Sequence, residues 1–376
     1  MISIGEGIIL KFKFEDNEDF LDAGDLITFM VVEDAGNILP TFKLIFKTRD
    51  IKVISYLNEG ATIQASFGGK DLATIPINLV CISVVMNRTG YNFFSIAITG
   101  IYDALNYLIK PQIRILPNQS AIETLNSVVS EYFTTDFDPT SSEDSQSYIQ
   151  HNITDKKFAQ HLVEQAKFSD SACISGITFD GFFRIRDLKT LASKPYAWKF
   201  TKEVKDSAKD ICYTGEAVLE SSSGMLNSIS GYGRKIYTLN YDSGLSSIES
   251  ESTTSVFSNS RAPSRKDSIS ERMGAIVPIS ENMDSEFYNT KLRNSMYNTT
   301  CSAYKKTIRF IRCFKRVRIL DLAMLSEASI NNDNSLDHTS GLYVITKVVR
   351  TLSAGIFQTT CELCRESLND ARGDIA

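Results

Sequence analysis

Six short runs of β-type residues fill the first hundred positions, with no helical period between them. Ile8-Ile9-Leu10-Lys11-Phe12-Lys13-Phe14 ends in period-two alternation, and the polar residues Glu15 to Asp19 follow it. Further runs extend from Leu26 to Val32, Phe42 to Lys47, Thr62 to Phe67, Ile75 to Met86 and Tyr91 to Ile101. Turn chemistry punctuates them at Asp34-Ala35-Gly36-Asn37, Pro40 and Gly68-Gly69. Asn87-Arg88-Thr89-Gly90 joins the last two runs as a hairpin turn would. Successive side chains on a strand point to opposite faces, so runs this short bury a face only by closing into a sandwich or small barrel.

The pattern changes after Pro111 and Pro117. Ser120-Ala121-Ile122-Glu123 has the form of a capping box, in which serine and glutamate each satisfy the other's backbone N–H. Ile122, Leu125, Val128, Val129 and Tyr132 then recur at helical spacing. Thr134 to Ser147 is polar and is expected as a loop. Thr154-Asp155 opens a second helix with Phe158, Leu162, Val163 and Ala166 on one face. Two strands follow, Ala172 to Phe179 and Phe182 to Leu188, around a turn at Asp180-Gly181. This helix–helix–hairpin block predicts a small α/β module beside the β structure.

Strand character returns at Gly215 to Leu219 and Asn227 to Leu239. From Ser243 to Ser270, eleven of 28 residues are serine. Too few large apolar groups remain there to offset ordering entropy, so a mobile loop is expected. Asn282 to Met296 has helical character. Strands are expected at Thr307 to Cys313, Arg316 to Leu322, Leu342 to Arg350 and Ile356 to Leu363, the last pair joined through Thr351-Leu352-Ser353-Ala354-Gly355.

Length and composition bound the classes. The 376 residues suggest about two or three domains at roughly 150 residues each. With 43% hydrophobic and 23% charged residues the chain is globular in type, not collagenous, disordered or coiled-coil. Forty basic against 45 acidic residues give a net charge of -5, so any nucleic-acid contact must be a local patch. Seven scattered cysteines do not form a disulfide framework, and buried reduced thiols are expected. No basic run precedes an apolar core at Met1-Ile2-Ser3-Ile4, so no secretory signal is read. The longest apolar run, Ile77 to Met86, falls well short of the roughly 20 residues of a membrane span. The expectation is a soluble chain made in a cytoplasm.

Catalytic patterns are missing. The histidines His151, His161 and His338 lie in loop contexts or beside a helix's apolar face, and H-E-x-x-H, G-x-S-x-G and Walker patterns do not occur. Cys361-Glu362-Leu363-Cys364 falls in a strand, where positions i and i+3 face apart, and no second C-x-x-C completes four ligands. The carboxylate sets Glu15-Asp16 with Glu18-Asp19, and Asp333 with Asp337, sit in turns. No cofactor, metal ligand or catalytic residue is assigned.

The sharpest charge feature spans 305–318. Seven of these fourteen residues are basic and none is acidic. Lys305, Lys306, Arg309, Arg312, Lys315, Arg316 and Arg318 are therefore candidate contacts to a channel, a phosphate or an acidic partner. The alternative is a solvated strand face whose charges guard an edge.

Two stretches carry a family resemblance. The first runs from Tyr148-Ile149-Gln150-His151 through Thr154-Asp155-Lys156-Lys157-Phe158-Ala159-Gln160-His161-Leu162 to Gly181-Phe182-Phe183-Arg184-Ile185-Arg186-Asp187. The second is the closing hairpin, Gly341-Leu342-Tyr343-Val344-Ile345 with Gly355-Ile356-Phe357-Gln358-Thr359-Thr360-Cys361-Glu362-Leu363-Cys364-Arg365. Both resemble phage baseplate central hub proteins, a family that includes late-control protein D and the N-terminal half of type VI secretion spike proteins. The family's glycine-aspartate turn before the late strands is replaced here by Arg316 to Leu322.

The resemblance implies a mainly β fold with an α+β insert. It places one small antiparallel tail-tube-like β-barrel domain at 1–110, a helix–helix–hairpin α/β module at 111–205, and a second barrel at 206–376 that holds the flexible loop 243–270. It implies a virion protein of a contractile phage tail baseplate, made in the host cytoplasm. Three copies would form a pseudo-six-fold ring joining the tail tube protein to a separate central spike protein, beside other baseplate proteins and with transient DNA contact in the channel. Such obligate interfaces bury about 2,000 Å² or more. Two alternatives stand beside this reading: a tail-associated cell-wall-degrading enzyme, and a nucleic-acid-binding module using 305–318.

Overall fold

The computed structural model describes residues 2–4, 8–14, 25–49, 51–69, 75–90, 93–169, 171–202, 208–214, 218–221, 234–240, 244, 246–251, 256–257, 273–279, 290–291, 293–295, 297–298, 301–311, 315–327 and 339–366. The chain is mainly β. Among the described residues, fourteen strands join in one sheet, and three smaller sheets stand beside it.

The first half of the large sheet is built from the runs the alternation predicts. Strands Ile8–Phe14, Leu26–Asp34, Thr41–Thr48, Thr62–Gly69, Ile75–Gly90 and Phe93–Tyr102 are antiparallel neighbours. Alternate residues point inward, as in Thr41–Thr48, where Phe42, Leu44 and Phe46 are buried between exposed Thr41 and Lys43. The sheet curls so that Phe12 meets Phe29 edge to face, ring centroids 5.0 Å apart.

The two expected closed barrels do not form among the described strands. Gly341–Ser353 is the reason. One edge of this 13-residue strand takes Ile356–Arg365, and the other takes first Leu322–Ser326 and then Leu26–Asp34. The edge of Leu26–Asp34 that could have closed a first barrel is thus used to join the two halves. Three hydrophobic cores result: one under the first half, one under the C-terminal strands and one in the insert.

The insert starts as its sequence predicts. Helix Ala121–Val129 is opened by a complete capping box, Ser120 Oγ accepting from the Glu123 N–H at 3.2 Å and Glu123 accepting from the Ser120 N–H at 2.9 Å. It buries Ile122, Leu125, Val128 and Val129, and helix Asp155–Gln165 packs beside it through Phe158, Ala159 and Leu162.

Several expectations are corrected. The predicted loop after Phe133 contains strand Thr134–Asp138, which pairs in parallel with Phe182–Asp187. Pro111–Gln119 and Gln146–Thr154 form a two-stranded ribbon that was not foreseen. The predicted strand from Arg316 to Leu322 is instead a turn. Arg318 N–H donates to the Asp321 carboxylate at 3.1 Å, Leu320 adopts a φ of 65°, and its N–H donates to Ile345 O at 2.7 Å. Val317, Ile319 and Leu320 are buried by core packing, so apolar residues there reflect burial without strand pairing. Within 243–270, expected as a mobile loop, Ser246–Glu251 is a strand beside Arg234–Asn240. Val256 and Phe257 in the same segment are buried, their N–H groups both held by the Glu366 carboxylate at 2.9 Å.

Candidate functional site

The basic stretch does not form one surface. Tyr304–Ile311 is a strand whose inward residues are Lys306, Ile308 and Phe310. Lys306 therefore points away from Lys305 and Arg309. Buried Lys306 pairs with Glu327 and donates to Thr339 Oγ1 at 2.9 Å. Lys305 pairs with Glu362 at 3.3 Å. Lys315 donates to Ala208 O at 3.2 Å. Arg318 pairs with Asp180 at 2.5 Å and lies over the Phe182 ring at 4.7 Å. Arg316 is half-buried, Arg309 is exposed, and Arg312 lies outside the described residues. Most of these cations thus fasten the C-terminal strands to neighbouring elements, as a partly buried charge requires.

The cations that organise the fold come from elsewhere. Arg350 and Glu33 form a buried ion pair. Glu33 also accepts from the Phe179 N–H at 2.8 Å, and Arg350 stacks 4.2 Å from the Phe179 ring while donating to Val317 O. First half, insert turn and C-terminal half meet at this node. A second node joins insert to C-terminal half. Arg184 bridges Asp136 and Asp321, each at 2.8 Å, and the Trp198 indole donates to Asp321 at 2.9 Å. The sequence carries one signal for the first node: Glu33 closes the apolar run that ends in Val31-Val32, and Arg350 directly follows Val348-Val349.

A cleft of about 640 Å³ opens between the insert and the C-terminal strands. Asp34, Lys156, Glu164, Lys305, Glu362 and Cys364 are among its lining residues. Several of its groups already have partners, and Lys305 and Glu362 pair with each other across it. Lys347 pairs with Asp34 at 3.0 Å, and the Thr346 hydroxyl is 3.0 Å from Glu362 and 2.9 Å from Cys364 Sγ. Burial pushes the thiols of Cys361 and Cys364 up to about 12, far from the thiolate a nucleophile needs. Cys361 sits in the C-terminal core and Cys364 at the cleft, so the pair does not converge on one centre. Among the described residues no group of three or more His, Cys, Asp or Glu side chains is placed to hold a metal ion. His151 and His161 are exposed, and His338 and both carboxylate sets lie outside the described residues.

The fold built from one long sheet and an α/β insert is similar to those of solved phage tail proteins. A tail protein from Neisseria meningitidis MC58 superposes with a TM-score of 0.59 at 9% identity, over 96% of this chain and 97% of that one. A 43 kDa tail protein of prophage MuSo2 from Shewanella oneidensis gives 0.57 at 11% identity, over 96% and 97%. An E. coli component of the type VI secretion system, itself structurally similar to T4 bacteriophage tail proteins, gives 0.53 at 10% identity, over 95% and 77%. No protein-family model matches the sequence, and no curated protein matches it. At the level of its fold the chain is similar to these tail proteins. No described helix is long and apolar enough to cross a membrane.

Proposed function

We propose that the chain is a structural hub subunit of a phage tail baseplate, trimerising into a pseudo-six-fold ring between tail tube and central spike. The observation that carries this reading is the near-complete overlap of its fold with tail proteins, over 96% of the chain in two cases. The continuous sheet supports it physically. Two β halves held rigidly in one chain let three copies present six similar faces to a six-fold tube. The domain division at 110 and 205, the contractile tail, the virion location and contacts with other baseplate proteins are parts of the same proposal.

The role is proposed as non-enzymatic. The raised thiols and the ion pairs already made by Asp34, Lys305 and Glu362 at the cleft support that reading over a cell-wall hydrolase. Turnover of cell-wall substrate by the purified chain would overturn it. A dedicated DNA surface along 305–318 is disfavoured, because Lys305, Lys306 and Arg318 are already bound to carboxylates. Arg309 is the residue of that stretch proposed to face the channel.

Native mass measurement of the full chain, with and without tube and spike proteins, tests the hub. Three-chain rings are expected. A chain that stays single in the presence of both partners would sink the proposal.

A further inference from the structure

Strand Ile75–Gly90 is paired on both edges only as far as Cys81, whose N–H donates to Ala61 O at 3.0 Å. Beyond it, among the described residues, 82–90 keep Phe93–Tyr102 as their one neighbour. The result is a hairpin arm with an open edge. Ile82, Val85 and Met86 are 52%, 51% and 38% exposed. Ile82-Ser83-Val84-Val85-Met86 contains no proline, lysine or other charge, the usual guards of a free strand edge. The arm's tip is cationic, with exposed Arg88 and with Arg49 lying 3.8 Å over the Phe93 ring.

A second apolar surface lies on the insert. In the ribbon of Pro111–Gln119 with Gln146–Thr154, Ile115 stands opposite Ile149. Ile113, Ile115 and Ile149 are 76%, 68% and 45% exposed, while Leu116, Tyr148 and Gln150 turn to the other side. Ile109, 67% exposed, extends the strip at the end of helix Leu105–Ile109. That helix borders a notch of about 400 Å³ lined by Asp103, Asn106 and Glu131, of which Glu131 is paired with Arg114 at 3.1 Å and Asp103 supplies the charge left open. This surface is apolar with an acidic end.

The two surfaces lie at opposite ends of one strand. Phe93–Tyr102 starts at the arm's tip and stops where the notch begins, about 33 Å away at the rise of an extended chain. We infer that the arm of one copy seats on the ribbon and notch of a second copy, with Val85 and Ile82 against Ile113 and Ile115 and Arg49, on the Val85 face of the sheet, toward Asp103. A foreign partner needs one sticky surface. A closed ring of identical chains needs two different, complementary ones, which this chain carries. Apolar strip meets apolar strip, and cationic tip meets acidic notch. The inference rests on the hub reading and names the surface by which its copies would join.

The test uses the full chain and two variants, Val85→Asp and Ile113→Asp, followed by native mass spectrometry. Both positions are exposed, and an unchanged melting curve verifies folding. Each variant alone is expected as a single chain where the parent forms a multimer. An equimolar mixture is expected to form a two-chain species and stop there, because the intact arm of one meets the intact ribbon of the other. Arg49→Glu, a surface charge change, is expected to lower the multimer fraction, and Asp103→Lys in the same chain to restore it. Multimers that survive in both aspartate variants would overturn this contact and leave the hub reading standing. A mixture that stays monomeric would also overturn it. A parent chain that remains single even with tube and spike proteins would overturn both.

Discussion

The guanidinium of Arg350 and the carboxylate of Glu33 are buried against each other although 317 residues separate them in the chain. Neither group gains much from Coulomb attraction alone, because each gives up hydration to be there. Their arrangement works through its additional partners. The Phe179 N–H completes Glu33, and Val317 O with the Phe179 ring completes Arg350. A slip of Gly341–Ser353 against Leu26–Asp34 by one residue would put the two charges on opposite faces of the sheet. The pair therefore fixes the register that joins the two halves.

Replacing Arg350 by Met leaves a buried carboxylate with no cation. A loss of about 3–5 kcal/mol is expected. The double variant with Glu33→Gln should recover part of it, since the glutamine oxygen still accepts from Phe179. Urea denaturation of parent, single and double variants measures this. A single variant within about 1 kcal/mol of the parent would show that the pair is dispensable.

Asp155 plays the same part inside the insert. Its buried carboxylate accepts from Arg114 at 3.0 Å, Tyr132 at 2.7 Å and Gln150 at 2.8 Å. Burial and this bond push the Tyr132 phenol up to about 12. Asp155→Ala strands three donors and should cost at least about 3 kcal/mol, with hydrogen exchange rising in Ala121–Val129 and the 111–119 ribbon first. Uniform exchange across all three cores would contradict a local role.

Gly100 sits where neighbouring main chain leaves no room for a side chain. A Cβ there would lie 2.0 Å from Val80 O and 2.3 Å from the Phe42 ring. The obstacle is main chain, which cannot swing aside, so Gly100→Ala should cost about 3 kcal/mol or more. Gly60→Ala, where φ is +87° with open space around the new methyl, should cost only about 1–2 kcal/mol. Thermal melting of the two variants checks the order, and equal shifts would refute it.

Glu327 gives a pH dependence. Burial alone would raise its pKa, but hydrogen bonds from Lys306, Tyr213 and Thr339 outweigh it and hold the carboxyl below its ordinary 4.5. A carboxyl lowered in the folded state contributes stability that is complete above 4.5 and lost as pH falls through the folded value. Acid should therefore weaken the C-terminal half below about pH 4.5, and Glu327→Gln should flatten that slope while lowering stability at pH 7. Parallel pH profiles for parent and variant would remove Glu327 from the account.

What the sequence made legible is what neighbours along the chain decide. Alternation in Thr41–Thr48 fixed its buried face, the Ser120 and Glu123 side chains fixed a helix start, and Cys361 and Cys364 could be placed in a strand. Each depends on residues within a few positions. Where burial imitates pairing, local pattern fails, as at Val317, Ile319 and Leu320, whose apolar spacing reflects a packed turn.

The tertiary structure alone decided which charges are satisfied and how the halves connect. Arg318 finds Asp180 across 138 residues, and Lys306 finds Glu327 on another element, so a run that looks like one cationic surface is mostly consumed internally. The sheet stays open because Leu26–Asp34 pairs with Gly341–Ser353, a choice made by two segments at opposite ends of the chain. Local sequence sets what each segment can be. Only the closure of long loops, with the burial it allows, selects which segments meet.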